Sequence, residues 1–84
     1  MYAGAKLKRQ GLRKGVPDLC IPVAKGRYHS LYIEMKAEGG KATREQADWI
    51  HLLRGQGMCA AVCEGAHNAI GLIDEYMALC DTPR

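Results

Sequence analysis

Two carboxylates and one ammonium group could meet in one small patch of this chain. Asp18 begins a short apolar run, and Glu34 and Lys36 follow sixteen and eighteen residues later in an alternating segment. A hairpin that is symmetric about Gly26 would place Asp18 opposite Glu34, with Lys36 on the same face. Opposed carboxylates repel unless a cation lies between them, and Mg²⁺ typically takes one or two protein carboxylates. A neighbouring lysine could then orient a water molecule or stabilise a charged transition state.

The same pattern has a simpler interpretation. Charged side chains are common on the solvent face of an amphipathic strand, so Glu34 and Lys36 alone indicate little. A slip of one residue in the strand pairing would also turn Asp18 to the opposite face of the sheet. The position of Asp18 after a proline, where a strand starts, favours the functional interpretation.

The elements that would position these residues follow from the hydrophobic pattern. The sequence predicts a helix, a β-hairpin, a second helix, a strand and a third helix. The first hairpin strand contains Pro22 and should lie near a sheet edge, because proline donates no hydrogen bond to a ladder. The predicted ranges are a basic helix over 3–10, hairpin strands over 18–24 and 28–37 with a turn at 25–27, a helix over 44–54, a strand over 58–62 and an amphipathic helix over 66–80.

The second helix carries signals at both of its ends. Thr43 and Gln46 fit a capping box, with Thr43 as the N-cap and Gln46 at the third helical position. Gly55 or Gly57 is expected to end the helix. Capping alone would explain Gln46, but a capping residue can also point toward a site beside the helix N-terminus.

The charge is unevenly distributed along the 84 residues. The chain has 12 Lys and Arg against 9 Asp and Glu, a formal net charge of +3. Residues 1–17, the basic arm, carry +5 and no acidic residue, whereas residues 18–84 carry −2. A basic arm on a mildly acidic body suggests a polyanionic partner, although a solvated terminus would look the same. The cations of the arm are Lys6, Lys8, Arg9, Arg13 and Lys14.

The four cysteines do not form a metal-binding pattern. No CxxC pair occurs, and the three histidines do not complete a zinc-ligand spacing with them. Free cysteine is among the most buried residue types, so we expect four buried, reduced thiols. No apolar run reaches the roughly 18 residues of a membrane-spanning helix, and no secretory signal is recognisable. The sequence therefore predicts no membrane association and a location in the cytoplasm of a bacterial or phage-infected cell, or at its nucleoid.

Several short motifs, taken in order, resemble the signature of the PD-(D/E)XK nuclease superfamily. Within it, the resemblance is to the virus-type replication-repair nuclease (VRR-NUC) domain, and it extends from about residue 12 to residue 76. Each motif is weak alone, but the ordered combination is specific. The matching residues are Gly15-Val16-Pro17-Asp18, the strand Tyr32-Ile33-Glu34-Met35-Lys36, the helical Gln46 and Trp49, Gly57, and Val62-Cys63 in the last strand.

The resemblance implies a fold and a chemistry. The fold would be α/β, a minimal restriction-endonuclease-like core with a small mixed sheet flanked by helices, as a single domain over residues 1–84. The activity would be hydrolysis of DNA phosphodiester bonds with Mg²⁺ or Mn²⁺. By matching position, Asp18, Glu34 and the main-chain carbonyl of Met35 would bind the metal. Lys36 would be the catalytic lysine, and Gln46 would face the site.

The resemblance also implies a partner for the basic arm. The arm would bind DNA phosphates without reading the sequence. Stand-alone members of the family resemble Holliday-junction resolvases, which implies a homodimer that cuts branched DNA, in DNA repair or in a phage, with the C-terminal helix as a candidate interface. The chain departs from many superfamily members because residues 1–17 contain no acidic metal ligand. The number of metal ions therefore stays open.

Two other functions remain open at the level of sequence. The chain could be a nuclease-fold module that binds DNA and has weak or no catalytic activity. It could also be a cysteine-based metal or redox protein, which would require stoichiometric zinc that depends on Cys59 or Cys63.

Overall fold

A mixed sheet of three strands lies between two helices. The computed structural model describes residues 14–83, so the predicted helix over 3–10 lies outside the described residues. The order along the sheet is β1-β2-β3, with β1 antiparallel and β3 parallel to the central strand β2. The elements in chain order are β1 (Leu19–Ile21), β2 (Leu31–Lys36), α1 (Arg44–Gly55), β3 (Cys59–Glu64) and α2 (Gly65–Met77).

The hairpin has the predicted register. Cys20 pairs with Tyr32, and continuing this pairing by two residues places Asp18 opposite Glu34. The turn lies between Lys25 and Tyr28, as predicted. β1 is an edge strand and ends before Pro22, which is shorter than the predicted range because proline cannot donate to the ladder.

Two hydrophobic clusters lie on opposite faces of the sheet. The cluster under α2 contains the fully buried Leu31 and Ile33 of β2. The cluster under α1 contains Ile50 and Leu53 of the helix and Ala60 of β3, with Tyr32 and Trp49 packed at its border. Because strand residues alternate between faces, β2 contributes to both layers.

Helix α1 begins as predicted and ends one residue later. The Thr43 side chain accepts a hydrogen bond from the Gln46 amide, and the Gln46 side chain accepts one from the Thr43 amide, which is a complete capping box. The helix extends through Gly55, and Gly57 then adopts a φ of 91°, which favours glycine.

The last strand and the last helix differ from the predicted ranges. β3 continues to Glu64, two residues further than expected, and α2 ends at Met77 instead of residue 80. The chain leaves the helix because the following residues bind the hairpin turn: the Gly26 amide donates to the Cys80 carbonyl, and the Thr82 hydroxyl donates to the Gly26 carbonyl. Neither helix of the described chain has the length and hydrophobicity needed to cross a lipid bilayer.

The prediction of four buried cysteines holds fully for only one of them and is wrong for the two that are exposed. All four thiols are free, but only Cys63 is buried, and Cys59 is half-buried. Cys20 is exposed because it lies on the short edge strand, and Cys80 is exposed because it lies beyond the end of α2. Burial raises the pKa of the Cys59 and Cys63 thiols, so the two less accessible cysteines are the less reactive ones.

Candidate active site

The first carboxylate lies where the chain enters β1. Pro17 is buried, and Asp18 follows it with an exposed side chain. The Met35 amide of β2 donates a hydrogen bond of 2.9 Å to Asp18 Oδ2. This bond holds Asp18 against the central strand.

The second carboxylate is buried and only partly satisfied. Glu34 is 3% exposed, and its Oε2 accepts a hydrogen bond of 2.8 Å from Gln46 Nε2. Among the described residues, Glu34 Oε1 has no hydrogen-bond partner. Burial raises the pKa of the Glu34 carboxyl above its usual value, the negative charge of Asp18 raises this pKa further, and Lys36 opposes both effects. A buried carboxylate oxygen without a donor is costly unless a cation or proton occupies it.

The ammonium group lies on the same face of β2. Lys36 Nζ is 3.5 Å from Glu34 Oε2, and the lysine side chain is mostly buried. The two residues are separated by one position in the strand, so the alternation of the pleat places both side chains on the side of α1. The site therefore combines two carboxylates with one positive charge, as the sequence predicts.

Gln46 belongs both to the helix cap and to the site. Its Oε1 accepts a hydrogen bond of 2.8 Å from the Thr43 amide, and its Nε2 donates to Glu34. The capping bond leaves the amino group of the carboxamide free to face the sheet. The capping interpretation of Gln46 is confirmed, and the same side chain also contacts Glu34.

The donor set fits a hard divalent cation. The free Oε1 of Glu34, the carboxylate of Asp18 and a main-chain carbonyl are oxygen ligands of the kind that Mg²⁺ and Mn²⁺ accept, with water completing the shell. Within residues 14–83, no group of three or more His, Cys, Asp or Glu side chains is arranged to hold a metal ion. A metal here would thus depend on two carboxylates and on Met35.

Comparison with known proteins identifies the family of this chain. The sequence model of the VRR-NUC domain matches residues 3–67. The chain belongs to the VRR-NUC domain family. A solved structure described as a VRR_NUC domain protein superposes with a TM-score of 0.83 at 42% sequence identity, covering 94% of this chain. This chain corresponds to 66% of the length of that solved chain. A search of curated proteins found no match.

Membership in the VRR-NUC family establishes a nuclease-type fold for this chain. The fold brings five of the predicted site residues into one place: Asp18, Glu34, Met35, Lys36 and Gln46. Of the predicted DNA-binding residues, Lys14 is described and exposed. The remaining four, Lys6, Lys8, Arg9 and Arg13, lie outside the described residues.

The structure adds two contacts beside the site that the sequence did not predict. Glu64 Oε2 accepts a hydrogen bond of 3.1 Å from the Gly39 amide, and Glu64 pairs with Lys36 in the sheet register. Trp49 Nε1 donates a hydrogen bond of 3.1 Å to the Lys14 carbonyl. The position of Trp49 one helical turn after Gln46 was a signal that both face the same side.

Proposed function

We propose that this VRR-NUC domain is a divalent-metal-dependent DNA endonuclease that prefers branched DNA. The observation that carries the proposal is the Glu34 carboxylate, which is buried, bonded through Oε2 to Gln46, and unpartnered at Oε1 among the described residues. A purely structural glutamate would gain by pairing both oxygens or by facing water. An Oε1 that is free beside a second carboxylate supports a metal-binding role.

The residues of the chain have distinct roles in this mechanism. Asp18, Glu34 and the Met35 carbonyl would hold Mg²⁺ or Mn²⁺, which supplies Lewis-acid activation of a phosphodiester and of water when bound. The Met35 amide orients Asp18, and Gln46 orients Glu34. The Lys36 ammonium is placed to stabilise negative charge on the phosphate or to orient the attacking water. Hydrolysis then adds water across the phosphorus–oxygen bond and releases two DNA ends.

The choice of DNA follows from charge and from the family resemblance. The five cations of residues 1–17 supply affinity for phosphates that does not depend on sequence. A homodimer with two active sites could cut two strands of a branch symmetrically, and this part of the proposal is fold-level analogy. The exposed Ile70 and Met77 of α2 are compatible with the predicted use of that helix as an interface.

The test is cleavage of a panel of DNAs with Mn²⁺. Four-way junction, flap, duplex and single-stranded DNA are compared under identical conditions, with Asp18→Asn as the inactive control. We expect metal-dependent cutting that is fastest on the branched substrates. Asp18→Asn and Lys36→Ala should abolish cutting and largely retain DNA binding, so cutting by Lys36→Ala at the wild-type rate would contradict the mechanism.

A DNA-binding module without catalysis is the second candidate function. It is favoured by the small number of candidate ligands, because within residues 14–83 no group of three or more His, Cys, Asp or Glu side chains is arranged to hold a metal ion. The same panel distinguishes the two functions. Salt-dependent binding of all substrates without cutting in Mn²⁺ would support the binding module and contradict the endonuclease.

A further inference from the structure

Trp49 ties helix α1 to Lys14, one of the cations of the basic arm. Its indole Nε1 donates a hydrogen bond of 3.1 Å to the main-chain carbonyl of Lys14, which lies 35 residues earlier. The Trp49 ring is half-buried and packs at the border of the hydrophobic cluster under α1. The indole is thus held by the core and directs its only donor at the arm.

The next residue of the chain makes a close contact with the same helix. Gly15 has a φ of 91°, and a Cβ built on it would lie 2.7–2.8 Å from atoms of Glu45. Only glycine fits this conformation and this distance to α1. The buried Pro17 and the bond from Met35 to Asp18 fix the chain again within three residues. Residues 14–18 are therefore clamped between α1 and β2.

Helix α1 consequently contacts both the proposed metal site and the basic arm. Gln46 on α1 contacts Glu34 of the proposed metal site, and Trp49, three residues later, contacts Lys14 of the basic arm. Lys14 and Asp18 are four positions apart in the chain, which limits their Cα distance to about 14 Å, or about four base-pair steps of B-DNA. Phosphates bound at Lys14 would lie close to the bond that is cut.

We infer that Trp49 is a positioning residue that fixes the main chain at Lys14, and so aligns DNA phosphates bound at Lys14 with the Asp18–Glu34 site. This inference rests on the proposed function, because it assumes that DNA is the ligand of the arm. The indole donor of Trp49 is directed at Lys14 and not at the carboxylates or the lysine of the site. Its effect therefore falls on DNA binding and not on the chemical step.

The first test measures DNA affinity against salt for Trp49→Phe. A fluorescently labelled four-way junction is titrated in EDTA, where no cutting occurs, and Leu52→Ala is the matched control because Leu52 is an exposed residue of the same helix. We expect Trp49→Phe to weaken binding about tenfold at low salt and to reduce the salt slope by about 0.9 for each phosphate that the arm no longer neutralises. Leu52→Ala should bind as wild type does.

The kinetic test separates positioning from stability. In Mn²⁺, Trp49→Phe should raise KM about tenfold and leave kcat within about threefold of the wild-type value. A loss of stability alone would lower the active fraction without changing the salt slope. Wild-type affinity, salt slope and KM in Trp49→Phe would overturn the inference and leave the proposed function intact. A wild-type chain that binds no DNA would contradict both.

A measurement on the unmutated protein keeps the inference testable if Trp49→Phe does not fold. Trp49 is the only tryptophan, so the protein gives a single indole N–H signal in a nitrogen–proton NMR spectrum. We expect this proton to exchange slowly with solvent and its signal to shift on addition of junction DNA. Gly15→Ala, which disturbs the same clamp, should speed the exchange. An indole proton that exchanges freely in the wild-type protein, or a signal that DNA leaves unchanged, would overturn the inference.

Discussion

The two faces of strand β2 differ in the chemical character of their surroundings, although successive residues of the strand point to alternate faces. Toward α2, Leu31 and Ile33 are fully buried among apolar side chains. Toward α1, Glu34 is almost as buried, but its neighbours are an amide, an ammonium group and a second carboxylate. The α2 face is a conventional core, whereas this end of the α1 face keeps a charged group in a partly desolvated place.

The reason lies in how each helix covers the sheet. Helix α1 contributes Ile50 and Leu53 to its cluster from the middle and last turns, and its first turn contributes Gln46. The polar start of α1 therefore lies over the end of β2 that carries Glu34 and Lys36. Strand β2 thus stabilises the fold through one face and holds ionisable groups through the other, because the helix that covers the second face changes from polar to apolar along its length.

The largest expected effect comes from the polar face. Glu34→Gln keeps the size of the side chain and removes its charge. We expect cleavage in Mn²⁺ to fall by at least about 10²–10³-fold, because the substitution removes a buried anionic ligand of the proposed metal site. The free energy of unfolding should change little, and thermal unfolding provides this control. Cleavage at the wild-type rate by a folded Glu34→Gln protein would break the distinction between the faces.

The next effect separates the two roles of Gln46. Gln46→Ala removes both its capping bond and its bond to Glu34, and we expect cleavage to fall about 10–100-fold. Thr43→Ala weakens the cap and retains Gln46, so it should cost about 1 kcal/mol of stability with a smaller loss of cleavage. Single-turnover cleavage rates and urea unfolding of both variants measure this. Equal losses of cleavage in the two variants would mean that Gln46 acts only through the helix.

A third prediction concerns the apolar face. Ile33→Val changes the neighbour of Glu34 on the opposite side of β2. We expect a loss of about 0.5–1.5 kcal/mol in the free energy of unfolding, or roughly 5 °C in Tm, because a fully buried methyl group is removed. Cleavage well below the unfolding transition should match wild type. A cleavage defect as large as that of Gln46→Ala would show that the two faces are not independent.

The smallest effect is the pH dependence of stability without metal. The pKa of Glu34 is raised in the folded protein. At pH values between its ordinary pKa and this raised pKa, the folded state therefore binds more protons than the unfolded state. The free energy of unfolding contributed by this group should therefore be greatest at low pH and fall as pH rises through that window. Urea unfolding in EDTA should show this decline in the wild type, relative to Glu34→Gln. Parallel pH profiles would contradict it.

Local patterns predicted the elements that carry the site. A hairpin symmetric about Gly26 predicted the register that opposes Asp18 and Glu34; the sequence left a one-residue slip open, and the pairing of Cys20 with Tyr32 matches the symmetric register. The capping box located the start of α1, and the cap itself points Gln46 at the sheet. These are short-range signals, and short-range signals are what a single sequence carries.

The contacts that the sequence did not predict are long-range. Trp49 and Lys14 are 35 residues apart, and Glu64 and Gly39 are 25 residues apart. No local pattern specifies such pairs, since they depend on how α1 and β3 pack. The exposure of Cys80 has the same origin, because the chain leaves α2 early to bind the hairpin turn.

The central claim is that Asp18 and Glu34 bind a divalent metal, and direct titration of Mn²⁺ into the protein tests it without DNA or catalysis. Isothermal calorimetry on wild type, Glu34→Gln and Ile33→Val compares the two faces of β2 in one experiment. We predict that Mn²⁺ binds the wild type and Ile33→Val equally, and binds Glu34→Gln at least about tenfold more weakly. Equal Mn²⁺ affinity in all three proteins would contradict a metal site at these carboxylates.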